Sequence, residues 1–218
     1  LEHGVNYADA YLRTIGKKSP GRLLKTWPYE KGSAVRLFVL AGHRNMEGER
    51  AFTADLQSLP ELADLSKDNP KVAYKYCIGG GYKISRGWEP LGPAGYYDTF
   101  GPEVSFGKSL QGKIQGNIAI AKFTDSGSQM NDWTPEGTDA KDRNLYMKFI
   151  AFIQQSIKEL QAKGNKVELS GVFYHVGEND MSFGPYRRDA AKWLQSTITK
   201  SREDLGMPSL RSEEHTSE

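Results

Sequence analysis

The chain has 218 residues, 38% of them hydrophobic and 11% aromatic, and its 29 basic and 27 acidic side chains leave a net charge of +2. That length is one domain's worth of core, and charge so balanced and scattered excludes a nucleic-acid binder built on a basic surface. The single cysteine, Cys77, excludes an intrachain disulfide and a cysteine-built zinc site, and no apolar run reaches the length of a membrane span.

Residues 1–34 read as a lead-in or linker, turn-rich from Gly16 to Arg22 and from Pro28 to Gly32. Val35 to Leu40 is an apolar run of strand-favouring residues, expected to be buried on both faces as in a parallel sheet covered by helices. It stops at Ala41-Gly42 and gives way to His43, Arg44, Asn45 and Glu47, where ligands of such sheets bind. Glu49 to Leu56 reads as helix, and Lys71 to Ile78 alternates like a half-buried strand. From Gly79 to Gly101 the chain reads as a long loop carrying Trp88, Tyr96 and Tyr97. Its glycines are not a phosphate loop, because no Gly-Lys-Ser/Thr follows.

Pro102 to Gln111 is a Pro-led helix, and Asn117 to Phe123 a second buried strand that runs into Thr124-Asp125-Ser126-Gly127-Ser128. Asn144 to Lys163 places Leu145, Phe149, Phe152, Ile153, Ile157 and Leu160 at helical spacing and ends at Gly164. A third strand, Lys166 to Phe173, leads into Tyr174-His175-Val176-Gly177-Glu178-Asn179-Asp180, and Pro185 to Leu205 is the last helix. Strands alternating with helices at this spacing predict an α/β fold, doubly wound around a parallel sheet. Residues 211–218, Arg-Ser-Glu-Glu-His-Thr-Ser-Glu, match the in-frame translation of a common sequencing-adapter oligonucleotide. They are expected to be a non-native tail on a truncated domain.

The frame Gly42-His43-Arg44-Asn45-Met46-Glu47-Gly48 resembles the first block of the SGNH hydrolases, in the branch of sialate O-acetylesterases and carbohydrate acetylesterases. That block reads Gly-Gln-Ser-Asn-Met, and its Ser is the nucleophile. Ser126-Gly127-Ser128 is similar to the family's Gly-Gly-Thr-Ser turn, and His175 to Asp180 to its third block. Blocks in this order after three strands imply a flavodoxin-like three-layer SGNH fold over residues 35–210, with the last strand or strands missing. By the same resemblance Gly127 and Asn179 hold the oxyanion-hole positions, and the ligand is a carbohydrate met by His43, Asn45, His175, Glu178 and Asp180. The resemblance implies no cofactor, and a periplasmic or extracellular setting.

Three departures separate this chain from the family pattern. Arg44 stands in the nucleophile position, His43 replaces Gln, and Val176 replaces the third block's Gln. The family's Asp-x-x-His, which supplies the general base, does not follow Asn179. Arginine is a permanent cation and cannot be a nucleophile. One reading is a diverged domain that binds an acidic or sulfated glycan through Arg44. A second is an ester hydrolase that uses His43, His175, Glu178 or Asp180, with or without a metal, in place of serine. The third is a scaffold whose pocket is sealed by Arg44 paired to Glu178, Asp180 or Glu47.

Overall fold

The computed structural model describes residues 22–140, 143–210 and the backbone of 212–214. Strand β1 (Ala34–Gly42) is buried throughout except at Ala34 and Arg36. Its side chains divide between two cores, Val35, Leu37, Val39 and Ala41 on one face and Phe38 and Leu40 on the other. A single helical turn, α1 (Arg44–Glu47), follows and closes at Gly48, whose φ of 87° is left-handed. A Cβ on Gly48 would also overlap the Phe100 carbonyl oxygen, so two independent constraints select glycine there. This stop explains why the helix expected from Glu49 begins only at α2 (Thr53–Ser58), after Phe52 has bridged to Thr99.

Strand β2 (Asn69–Ile78) is buried on both faces from Val72 onward, not half-buried as its alternation suggests. Its second face carries Ala73, Lys75 and Cys77, which are small or able to reach out. The Lys75 ammonium meets Glu159 at 2.7 Å and sits over the Phe152 ring, so its stem packs as an apolar residue would. Burial pushes the Cys77 thiol up to about 11, as befits a packing residue. The stretch expected to be a loop contains two short strands, β3 (Lys83–Ile84) and β4 (Glu89–Leu91), each antiparallel to β2. Helix α3 (Glu103–Lys113), strand β5 (Asn117–Thr124), helix α4 (Tyr146–Ala162), strand β6 (Lys166–His175) and helix α5 (Gly184–Asp204) come next, close to their expected bounds.

Among the described residues the sheet runs β3-β2-β5-β1-β6-β7, where β7 is Ser212–Glu214 and pairs parallel with β6. Residues 211 and 215–218 of the expected non-native tail lie outside the described residues. Pairing through backbone groups places no demand on side-chain identity, so a polar segment can occupy that edge. Helices α4 and α5 pack on the face of Val35, Leu37 and Val39, and α3 packs on the other through Phe106 and Leu110, giving three layers. The sheet is the parallel α/β architecture expected. Its strand order turns at β1, which is flanked by β5 and β6, and the carboxyl ends of these three strands form the crevice.

Segment 22–33 packs along this domain. Tyr29 is buried, donates its hydroxyl hydrogen bond to the Ile118 carbonyl and accepts one from the Ala73 N–H at 2.7 Å, and Trp27 meets it edge-on. Among the described residues one ion pair lies wholly inside the core. Lys122 meets Glu103 at 2.7 Å and also donates to the carbonyls of Ala94 and Glu47, while Glu103 accepts the N–H groups of Ala94 and Gly101. With its donors and acceptors matched, this pair ties α1, α3 and the loop before α3 beneath the crevice.

Candidate functional site

The three sequence blocks meet at the carboxyl edge of β5, β1 and β6, and backbone bonds stitch them together. Asp125 N–H donates to the Gly42 carbonyl and His43 N–H to the His175 carbonyl, both at 3.0 Å. A Cβ on Gly42 would overlap that His175 carbonyl, so the first block can approach the third only with glycine here.

Arg44 is the first residue of α1 and is 44% exposed. Its Nε lies 3.3 Å from Glu49, its single ion-pair partner among the described residues. It does not pair with Glu47, Glu178 or Asp180, as a sealed pocket requires. Those three carboxylates are occupied by other donors. Arg44 lines a cleft of about 730 Å³ whose walls include Asn45, Glu49, Arg50, His175 and the Phe100–Gly101 turn before α3.

Glu47 is fully buried and gathers three donors from the ends of β2 and β5 on one oxygen. Its Oε2 accepts from Thr124 Oγ1 (2.9 Å), Gly79 N–H (3.2 Å) and Ser126 N–H (3.3 Å). Glu49 continues the web by accepting from Ser126 Oγ at 2.9 Å, so Arg44, Glu49, Ser126 and Glu47 form one linked series. Asp125 stands beside them. Burial, with the Glu47 charge nearby, pushes its carboxyl up to about 6 against the pull of Arg143.

The third block is organised around Glu178. Its Oε1 accepts from Asn45 Nδ2 at 2.9 Å, His43 Nδ1 lies 3.5 Å from Oε2, and His175 Nε2 lies 3.8 Å from Oε1. Burial opposes the Glu178 charge, but His43, the local backbone and His175 together hold the carboxyl below its usual range. His175 and Asn45 line the cleft. His43 does not: it is wholly buried, with Nδ1 facing Glu178 and neither ring nitrogen in a well-aligned hydrogen bond. Asp180 is buried too. Its carboxylate accepts the Met130 N–H at 3.1 Å and anchors the second block, so it is not placed to meet a ligand. Asn179 donates to the Ser128 carbonyl at 3.3 Å, and Gly127 sits in the left-handed region at φ 93° with open space where a Cβ would be.

Among the described residues no three or more His, Cys, Asp or Glu side chains gather to hold a metal ion. His43, His175, Glu178 and Asp180 form no such group: Asp180 turns inward to the Met130 amide, and His43 is wholly buried away from the cleft. Two tryptophans near the blocks are core residues: Trp133 is fully buried with its indole N–H on Ser128 Oγ, and Trp88 is buried against Trp27. Sequence reasoning missed the roles of Glu49, Arg50 and Asp125. The nearest signal was adjacency: Glu49 and Arg50 directly follow the first block, and Asp125 directly precedes the second.

The family model described as carbohydrate esterase, sialic acid-specific acetylesterase, matches residues 34–212. No curated protein matches the chain. Among solved structures, the chain is similar to a protein from Arabidopsis thaliana, with a TM-score of 0.60 and 19% identity over 82% of this chain and 72% of that one. It is also similar to NanS, with a TM-score of 0.56 and 17% identity over 82% of this chain and 64% of NanS. At these identities the likeness is one of fold, a mostly parallel sheet covered by helices. The family match spans most of the chain and contains all three blocks, so this protein belongs to the carbohydrate esterase family of sialic acid-specific acetylesterases.

Proposed function

We propose that this domain binds an acidic or sulfated glycan without hydrolysing it, with Arg44 as the group that holds the ligand's carboxylate or sulfate. The observation that carries this reading is the placement of Arg44: a half-exposed guanidinium in the cleft, at the position where the family frame has its serine. Losing that serine costs a triad enzyme on the order of 10⁶ in kcat. A guanidinium presents two parallel N–H donors to an oxyanion, and its exposed pair with Glu49 is worth at most about 1 kcal/mol. A ligand carboxylate can therefore take over the fork, with Arg50 adding positive charge to the same wall.

The test is calorimetric titration with N-acetylneuraminic acid, glucuronic acid, N-acetylglucosamine 6-sulfate and the neutral N-acetylglucosamine. An acidic sugar should bind where the neutral one does not, more weakly as salt rises. Arg44→Ala should weaken that binding about 10- to 100-fold, the equivalent of one charge-assisted hydrogen-bonded contact. Equal binding of acidic and neutral sugars, or affinity indifferent to Arg44→Ala, would refute the reading.

A second reading is hydrolysis with His175 as general base, and the grouping of His175 and His43 around the Glu178 carboxylate favours it. It requires ester turnover that His175→Ala removes.

A further inference from the structure

Three tyrosines form an exposed aromatic wall at the same sheet edge as Arg44. Tyr82 and Tyr96 stack nearly parallel, with centroids 4.5 Å apart and 13° between planes, and Tyr97 meets Tyr96 edge-on at 5.0 Å. Tyr82 is 54% exposed and Tyr97 48%, although large apolar surface is normally buried. Each ring limits its neighbour's rotamers, so the wall is held in place before any ligand arrives. The backbone is fitted to it as well: Gly79 has φ 61°, and a Cβ there would lie 3.0 Å from the Tyr96 ring.

The wall adjoins the site through contacts already described. Gly79 donates its N–H to Glu47, which in turn accepts Ser126 N–H, whose hydroxyl binds Glu49, the partner of Arg44. Strand β2, which delivers Gly79, stands two places from β1 across β5, a span of about 10 Å. Asp125 lies between, its carboxylate beside Gly80, where it can accept hydrogen bonds from hydroxyl groups.

We propose that Tyr82, Tyr96 and Tyr97 are a second subsite, on which the sugar residues next to the acidic one stack their apolar C–H faces. This rests on the glycan-binding reading of Arg44 and extends it from one sugar to an oligosaccharide. Flat aromatic surface suits a pyranose ring because one face of the ring presents C–H groups while its hydroxyls point to the rim. The family's carbohydrate chemistry selects this occupant over a protein partner.

The experiment compares free N-acetylneuraminic acid with sialyllactose, by calorimetry, on the wild type, Tyr82→Ala, Tyr97→Ala, Tyr82→Phe and Arg44→Ala. The wild type should bind sialyllactose about three- to tenfold more tightly than the free sugar. Each alanine variant should lose some or all of that advantage and leave the affinity for the free sugar unchanged, and Tyr82→Phe, which keeps the stacking surface, should retain it. Arg44→Ala should weaken both ligands alike. If both sugars bind equally, or the alanine variants change nothing, the tyrosine subsite is refuted while the Arg44 reading stands. If neither sugar binds the wild type, the Arg44 reading fails for sialylated ligands and the subsite fails with it.

Discussion

Replacing Glu47 by alanine removes a buried acceptor on which three donors from the ends of β2 and β5 converge. Gly79 N–H, Thr124 Oγ1 and Ser126 N–H would all lose their partner. Each buried donor left unsatisfied costs about 1–3 kcal/mol. Two of the three bonds are long, at 3.2 and 3.3 Å, so the lower end of that range applies to them. The sum is about 3–4 kcal/mol. With a urea m-value of about 2 kcal/mol per molar for a domain of this size, the midpoint should fall by about 1.5–2 M. Glu47→Gln keeps the volume and one carbonyl acceptor, and should cost about 1–2 kcal/mol. The assay is equilibrium urea unfolding at neutral pH, with an unchanged m-value as the check that only stability has moved. A loss below about 1 kcal/mol for the alanine variant, or equal losses for alanine and glutamine, would refute the reasoning.

Two further perturbations address the charges beneath and beside the cleft. Lys122→Met leaves Glu103 buried without its cation and should cost about 3–5 kcal/mol, while the double variant Lys122→Met/Glu103→Gln should recover most of that, as a double-mutant cycle on unfolding would show. Asp125 has a folded-state pKa of about 6, above its ordinary 3.8, so the folded chain holds the proton more tightly than the unfolded chain. Its favourable contribution is therefore present at low pH and is lost as pH rises through about 6. Asp125→Asn should then stabilise the protein by about 1 kcal/mol at about pH 7, after allowance for solvent screening, and hardly at all at about pH 4. Thermal melts of both proteins across pH would contradict this if the difference were flat.

How far the sequence could be read depended on whether a signal was local. The β1 run and the positions of Gly42 and Gly48 mark the strand-to-turn frame, and steric demands at both glycines enforce it. Helix α4 was legible because its apolar residues recur on one face over four turns. Strands β3 and β4 were not, since two or three residues carry no periodicity and their pairing with β2 is set by backbone bonds such as Ser85 N–H to the Tyr76 carbonyl. The same limit governs the site. That His175 and Glu178 would come near β1 followed from strand order, but which carboxylate turns inward did not. Asp180 is buried because Met130, fifty residues away, offers it an N–H, and Glu47 because residues 79, 124 and 126 converge on it. Such partners have no local sequence signal. Arg44 is the opposite case: an arginine is a permanent cation and no nucleophile wherever it lies, and the fold adds that its charge faces a cleft.

The most direct measurement is hydrolysis of 4-nitrophenyl acetate by the wild type, with Arg44→Ser and His175→Ala alongside. The wild-type rate should be no higher than that of buffer, in the same preparation that binds an acidic sugar. Wild-type turnover that disappears in His175→Ala would contradict it and establish the histidine-based hydrolase instead.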